Sequence, residues 1–165
     1  MSALKVAGGH APSGTTYTLL PGEVRCAQRD DQLVTLLGSC VAIVLTDPKR
    51  TVGCMSHIVH IPSHNPPTGP RGNAWADVAL ATMCGELRAK GIEPRLCEAY
   101  VYGGGNMFPT LVGGTHVGQR NANWVLDALA VLGATLLHQD LGGSSYRKLR
   151  WTIGPQAPQV EAVPV

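Results

Sequence analysis

Apolar residues in this chain fall into short runs broken by Gly, Pro and Asp, and the period of the runs alternates between strand-like and helical. Residues 17–20 and 24–26 read as short strands around the turn Pro21-Gly22, and 32–37 as a third. Residues 40–46, Cys-Val-Ala-Ile-Val-Leu-Thr, are apolar at both alternating sets of positions and rich in β-branched side chains. A strand covered on both faces requires that pattern. Asp47-Pro48 follows with the signature of a type I turn, since Pro presets φ and Asp can accept from the backbone ahead. Residues 51–61 then run back as a partner strand. From Trp75 onward Val78, Ala79, Met83 and Leu87 recur at helical spacing, with Asn73 as the expected N-cap and Gly91 as the stop. Residues 96–102 form a strand that ends at Gly103-Gly104-Gly105. A second helix is expected over 121–132, with Val125, Leu126, Leu129 and Leu132 on one face and Gly133 as its stop, and strands over 134–139 and 148–153.

Strands outnumber helices in this pattern, which predicts an α+β fold: a single layered domain with a mixed or antiparallel sheet and two main helices. Residues 1–16, rich in Gly, Ala, Ser and Thr, read as a flexible N-terminal arm. Residues 17–154 read as the domain and 155–165 as an irregular C-terminal tail. Residues 62–73, with four prolines and two glycines, read as a surface loop of the kind that borders sites.

The 165 residues suffice for one domain with its own core. The formal charge of +2 comes from scattered Lys and Arg, with no basic run interleaved with aromatics, so nucleic acid is not an expected partner. No run approaches the ~20 apolar residues of a membrane span, and residues 1–18 lack a secretory pattern, so the expected location is cytoplasmic, without membrane insertion. Cys26, Cys40, Cys54, Cys84 and Cys97 show no CxxC spacing and read as five reduced thiols.

Chemistry enters through the hairpin at Asp47–Arg50. With a symmetric loop centred between Pro48 and Lys49, Cys40 faces His57 across an antiparallel pair, where Cβ atoms stand about 4.5 to 5.5 Å apart. An imidazolium beside a thiol stabilises the thiolate, the nucleophile of acyl transfer, and can then protonate a departing amine. Three other readings compete. Cys40 and His57 can be packed core residues. A serine nucleophile, Ser39 or Ser56, lacks the G-x-S-x-G elbow. A zinc site from Cys54, His57, His60 and His64 is disfavoured because positions 57 and 60 point to opposite strand faces. The glycines at 103–105 lack both GxGxxG order and the Lys-Ser/Thr of a P-loop, and read as a structural turn.

Several segments in one order carry a family resemblance: Thr35-Leu36-Leu37-Gly38-Ser39-Cys40-Val41-Ala42, Gly53-Cys54-Met55-Ser56-His57, Ala76-Asp77, Gly104-Gly105-Asn106-Met107-Phe108, Gly118-Gln119-Arg120-Asn121 and Asp140-Leu141-Gly142-Gly143. Together they resemble the CheD family of chemoreceptor-modifying enzymes. The resemblance implies a protein-glutamine deamidase with a fold similar to the catalytic domain of cytotoxic necrotising factor toxins. It assigns Cys40 as nucleophile, His57 as base and Thr35 as the third catalytic residue, with no cofactor and no metal. It implies chemoreceptor cytoplasmic domains as substrates and a CheC-type phosphatase as a partner, the alternative being a non-catalytic adaptor for that phosphatase. The proline that members carry four residues after the histidine stands one residue later here, at Pro62.

Overall fold

The apolar run at 41–46 is buried at every position because it lies between two different layers. In the computed structural model, which describes residues 14–62, 70–109 and 116–164, this run is strand β4 of an α+β fold. The strands are β1 (Thr16–Leu19), β2 (Val24–Gln28), β3 (Gln32–Leu37), β4 (Val41–Thr46), β5 (Val52–Ser56), β6 (Glu98–Gly103), β7 (Thr135–Leu141), β8 (Tyr146–Thr152) and β9 (Gln159–Val163). The helices are α1 (Ala76–Ala89) and α2 (Val117–Leu132), and short 3-10 turns stand at Pro70–Ala74 and Pro94–Leu96.

Two mixed sheets form, one in the order β2-β5-β4-β6-β7 and one in the order β1-β3-β8-β9. Among the described strands, β1/β3 and β6/β7 pair in parallel and the other pairs are antiparallel. Alternation along β4 sorts its side chains. Val41, Ile43 and Leu45 pack with Ala79, Met83, Leu87, Val125 and Leu129 of the helices, whereas Ala42 and Val44 pack with Leu33, Leu37, Leu149 and Trp151 of the second sheet. One strand thus supplies both cores, and the helices, the five-stranded sheet and the four-stranded sheet form three layers.

The β4–β5 hairpin departs from the expected register. Arg50 N–H closes the turn on Asp47 O at 2.9 Å with Arg50 at φ 60°, but pairing resumes only at Thr46↔Gly53. The Asp47 carboxylate explains the longer loop. Its Oδ1 accepts from the amides of Thr51 (2.8 Å) and Val52 (2.9 Å), and its Oδ2 accepts from the Thr51 hydroxyl (2.6 Å). Two residues that a tight hairpin would place in the ladder are held by a side chain instead. The centre of the loop therefore moves to between Lys49 and Arg50, and Val41 pairs with Ile58.

The turn at Pro21-Gly22 forms as expected, with Glu23 N–H donating to Leu20 O at 3.0 Å, and it carries the chain from one sheet to the other, since β1 pairs with β3 and β2 with β5. Other expectations are corrected too. Trp75, not Asn73, occupies the N-cap of α1, and Asn73 Oδ1 accepts from the Thr82 hydroxyl at 2.7 Å. Helix α2 starts four residues before the expected Asn121, because His116 caps it by accepting from Gln119 N–H through Nδ1. Gly133, at φ 91°, ends it in the left-handed conformation that glycine adopts without a Cβ penalty. The expected irregular tail contains β9, which pairs with β8. Cys26 and Cys54, direct partners on β2 and β5, are joined as a disulfide where five free thiols are expected. A sequence separation of 28 conceals that pairing from any spacing argument. Much of the expected loop at 62–73 and most of the N-terminal arm lie outside the described residues. Among the described residues, no helix is long and apolar enough to cross a membrane.

Candidate functional site

Thr35 and His57 come from different sheets and meet between them. Thr35 lies on β3 opposite Leu149, its register partner on the other side is Leu19 of β1, and it is 1% exposed. His57 follows β5 directly and is 2% exposed. Its backbone is tied to the β1–β2 turn, donating to Glu23 O at 3.0 Å and accepting from Gly22 N–H at 2.9 Å. The Thr35 hydroxyl donates to Leu19 O at 2.8 Å and stands 2.7 Å from His57 Nδ1. A threonine has one hydroxyl proton, and here the Leu19 carbonyl takes it. The oxygen must therefore accept from Nδ1–H of His57. This fixes the imidazole as the Nδ1–H tautomer and leaves Nε2 with its lone pair free for a proton.

Cys40 ends the segment Gly38-Ser39-Cys40 that leads into β4, and it is partly exposed at the edge of the core between the sheets. With Val41 paired to Ile58, His57 faces Ala42, so the direct opposition expected from a symmetric loop does not hold. The register change is an even number of residues, however, and face is preserved. Cys40 and His57 are diagonal neighbours on the side facing the second sheet, where Cβ separations of about 7 Å or less are within reach of an imidazole. Cys40 O accepts from Gly104 N–H and Gly38 O from Gly105 N–H, each at 2.9 Å. Gly103 and Gly104, at φ 112° and 63°, provide the backbone conformation for this clasp. Met107 and Tyr146 stand close to Gly38, and a Cβ there would meet their side chains at 3.1 to 3.2 Å, so they would have to shift for a larger residue.

The electrostatics favour neutral groups. Burial drives the His57 imidazole down to about 4, outweighing the Leu19 carbonyl and the Glu23 charge, which both act to raise it. Burial also pushes the Cys40 thiol above its ordinary value of 9.0. Burial thus acts against both the thiolate and the imidazolium, because each charged form is desolvated.

Known proteins place the chain in a family. A family profile described as CheD chemotactic sensory transduction matches residues 62–158. A probable chemoreceptor glutamine deamidase CheD 2 of Albidiferax ferrireducens is 36% identical over 135 residues, covering 79% of this chain and 78% of its own length. The chain belongs to the CheD family. The chemoreceptor glutamine deamidase CheD of Thermotoga maritima is 35% identical over 133 residues, covering 80% and 82% of the two chains. The probable chemoreceptor glutamine deamidase CheD of Pseudomonas fluorescens is 34% identical over 146 residues, covering 86% and 82%. An alignment over 86% of this chain leaves too little at either end to omit Thr35, Cys40 and His57.

In this CheD chain the competing residues lie elsewhere. Ser56 is fully buried on the face opposite His57, with its Oγ accepting from Ile43 N–H at 3.2 Å. Ser39 precedes Cys40 and points its carbonyl at Asn121. His60 is exposed and lies against the Trp75 ring at 4.7 Å between centroids. His64 lies outside the described residues, among which no three metal-ligating side chains cluster. Two groups were given no site role in the sequence reading: the Leu19 carbonyl, which has no sequence signature, and Asn121, which entered only as a family-motif residue and a helix boundary. The latter does have a signature, as a polar residue within the buried stripe Gly118, Asn121, Ala122, Val125 and Leu129 of α2.

Proposed function

We propose that this chain is a protein-glutamine deamidase that converts chemoreceptor glutamines to glutamates, with Cys40 as nucleophile, His57 as general base and acid, and Thr35 as the residue that orients His57. The observation that carries the reading is the 2.7 Å contact between Thr35 Oγ1 and His57 Nδ1, with the Thr35 proton committed to Leu19 O. It leaves Nε2 as a base on the sheet face that Cys40 shares. The names of the relatives, chemoreceptor glutamine deamidases, supply the substrate class.

A pair neutral at rest dictates the order of events. The Cys40 thiol passes its proton to His57 Nε2 as sulfur attacks the glutamine Cδ, and the carbonyl oxygen becomes an oxyanion. Collapse of the tetrahedral adduct breaks the C–N bond. The Nε2 proton leaves with the nitrogen as ammonia, and a thioester remains. Water then attacks the thioester, giving its proton to Nε2. That proton returns to the departing sulfur, and glutamate is released. Water is consumed, ammonia is produced, and the enzyme is regenerated.

The test is incubation with a chemoreceptor cytoplasmic fragment, reading ammonia release together with peptide mass spectrometry for amide-to-acid conversion. Wild type should release ammonia in step with new glutamates. Cys40→Ser should retain less than about one part in a thousand of the rate, as loss of a nucleophile commonly does. Binding of the fragment without ammonia release would favour the adaptor reading instead.

A further inference from the structure

Asn121 is a charge-free polar residue buried to 1% exposure in the second turn of α2, and its contacts converge on the segment around Cys40. Its Nδ2 donates to Ser39 O at 3.3 Å and to Val59 O at 3.1 Å. Both partners are carbonyls and can only accept, so the amide must present its nitrogen to them. Its Oδ1 meets no donor among the described residues, so all of this side chain's hydrogen bonding serves those two carbonyls. The two belong to strategic places. Ser39 C=O shares a peptide plane with the Cys40 N–H, and Val59 directly follows Ile58, which bridges to Val41 beside Cys40.

We infer that Asn121 is a positioning residue: by gripping Ser39 O and Val59 O together it fixes the Cys40 N–H as an oxyanion donor and sets Cys40 against the strand that carries His57. In a trans peptide the C=O and N–H point in opposite directions, so a carbonyl held toward α2 turns the Cys40 N–H away from it. Gly104 N–H and Gly105 N–H hold the neighbouring carbonyls of Cys40 and Gly38 in the same way. Among the described residues no backbone carbonyl accepts from the N–H of Ser39 or Cys40, which leaves both free to meet a developing negative charge. The anchor is rigid. Helix α2 packs so closely on the glycine strand end that a Cβ at Gly118 would overlap the backbones of Gly104 and Gly105.

This inference rests on the deamidase reading, and the experiment separates the two. Wild type, Asn121→Asp and Asn121→Ser are compared for ammonia release from the receptor fragment and for the rate of Cys40 alkylation by iodoacetamide, with melting temperatures measured alongside. The Asp variant keeps the shape but loses the donors, and the Ser variant serves where a buried carboxylate prevents folding. Alkylation has no oxyanion, so it reports the thiol without the donor. The expected result is a fall in kcat of about 100-fold, the scale of losing one oxyanion donor, with KM changed less than about threefold and alkylation less than about twofold. A peptide carrying an aldehyde in place of the glutamine amide, which adds reversibly to the thiol, should bind the variants about 100-fold more weakly. Unchanged kcat would overturn the inference while leaving the deamidase reading intact. Parallel losses in kcat, alkylation and melting temperature would also overturn it, by showing a structural role only. A wild type that releases no ammonia while binding the fragment overturns the deamidase reading and the inference together.

Discussion

Replacing His57 by Gln should change how the stability of this protein depends on pH, and the direction decides between two resting states of the site. The imidazole titrates near 4 in the folded chain and near 6.5 when unperturbed. As pH falls through 6.5 the unfolded chain gains a proton that the native state refuses, so the wild type loses stability down to about pH 4, below which both states are protonated. With those two values, the loss near pH 4.5 is about 2.5 kcal/mol relative to neutral pH. For a domain of this size it corresponds to roughly 5 to 10 °C in melting temperature. His57→Gln lacks this loss. Whatever the variant gives up at pH 7.5 through altered packing, its deficit relative to wild type should shrink by about 2.5 kcal/mol near pH 4.5. Urea denaturation of both proteins at the two pH values measures it. Titration of the buried Asp47 is common to both proteins and cancels. A deficit that stays constant would refute the depressed imidazole. One that grows at low pH would show a raised imidazole held by a Cys40 thiolate.

Three further outcomes are expected. Thr35→Val, which removes the acceptor for Nδ1–H, should lower kcat roughly 10- to 100-fold, less than the ~10⁴-fold typical when an orienting carboxylate is lost; Thr35→Ser should recover most of it, and a Val variant as fast as wild type would remove Thr35 from the mechanism. Iodoacetamide should label Cys40 ahead of the buried Cys84 and Cys97, because it is more accessible, with a pH midpoint at or above the ordinary 9.0; peptide mapping that finds a midpoint below neutrality would restore the thiolate pair. Asp47→Ala should destabilise the fold by about 2 kcal/mol, since it strands two amides and a hydroxyl at the β4–β5 loop. Burial would raise the Asp47 carboxyl, but the Thr51 hydroxyl and the amides of Val52 and Thr51 outweigh it and hold it below 3.8, so its contribution should disappear only in more acidic solution as pH falls through the folded value.

Elements whose signal is local were legible in the sequence. The doubly buried β4 followed from an apolar run without alternation, and the end of α2 followed from Gly133. Features set by tertiary contacts were not. The β4–β5 register depends on a side chain, Asp47, occupying amides that the hairpin would otherwise use, and turn statistics do not count such bonds. The start of α2 depends on a histidine cap, and His is not among the residues whose presence signals an N-terminus. β9 becomes a strand because β8 offers it an edge, despite prolines on both sides. For the site, sequence parity was enough to put Cys40 and His57 on one face, and it survived a register change of two. The burial that acts against both charged forms was not legible, because it comes from two sheets that share no sequence period.

In the proposed mechanism a neutral resting pair moves the source of reactivity from standing charge to geometry. A permanent thiolate attacks any electrophile that reaches it. A thiol that surrenders its proton only during attack needs three things at once: the imidazole at the right tautomer, the carbonyl at the right distance and donors for the oxyanion. An amide is a weak electrophile with a poor leaving group, and the same Nε2 proton that left sulfur is the one that nitrogen requires. In the proposed mechanism each requirement rests on a different layer of the fold. Thr35 on β3 sets the tautomer, the β4–β5 ladder places sulfur and imidazole on one face, and Asn121 on α2 holds the peptide of Cys40. Helices and the second sheet thus act on the five-stranded sheet from opposite sides, and a change in either layer should reach the reaction through position while leaving the thiol's titration nearly unmoved.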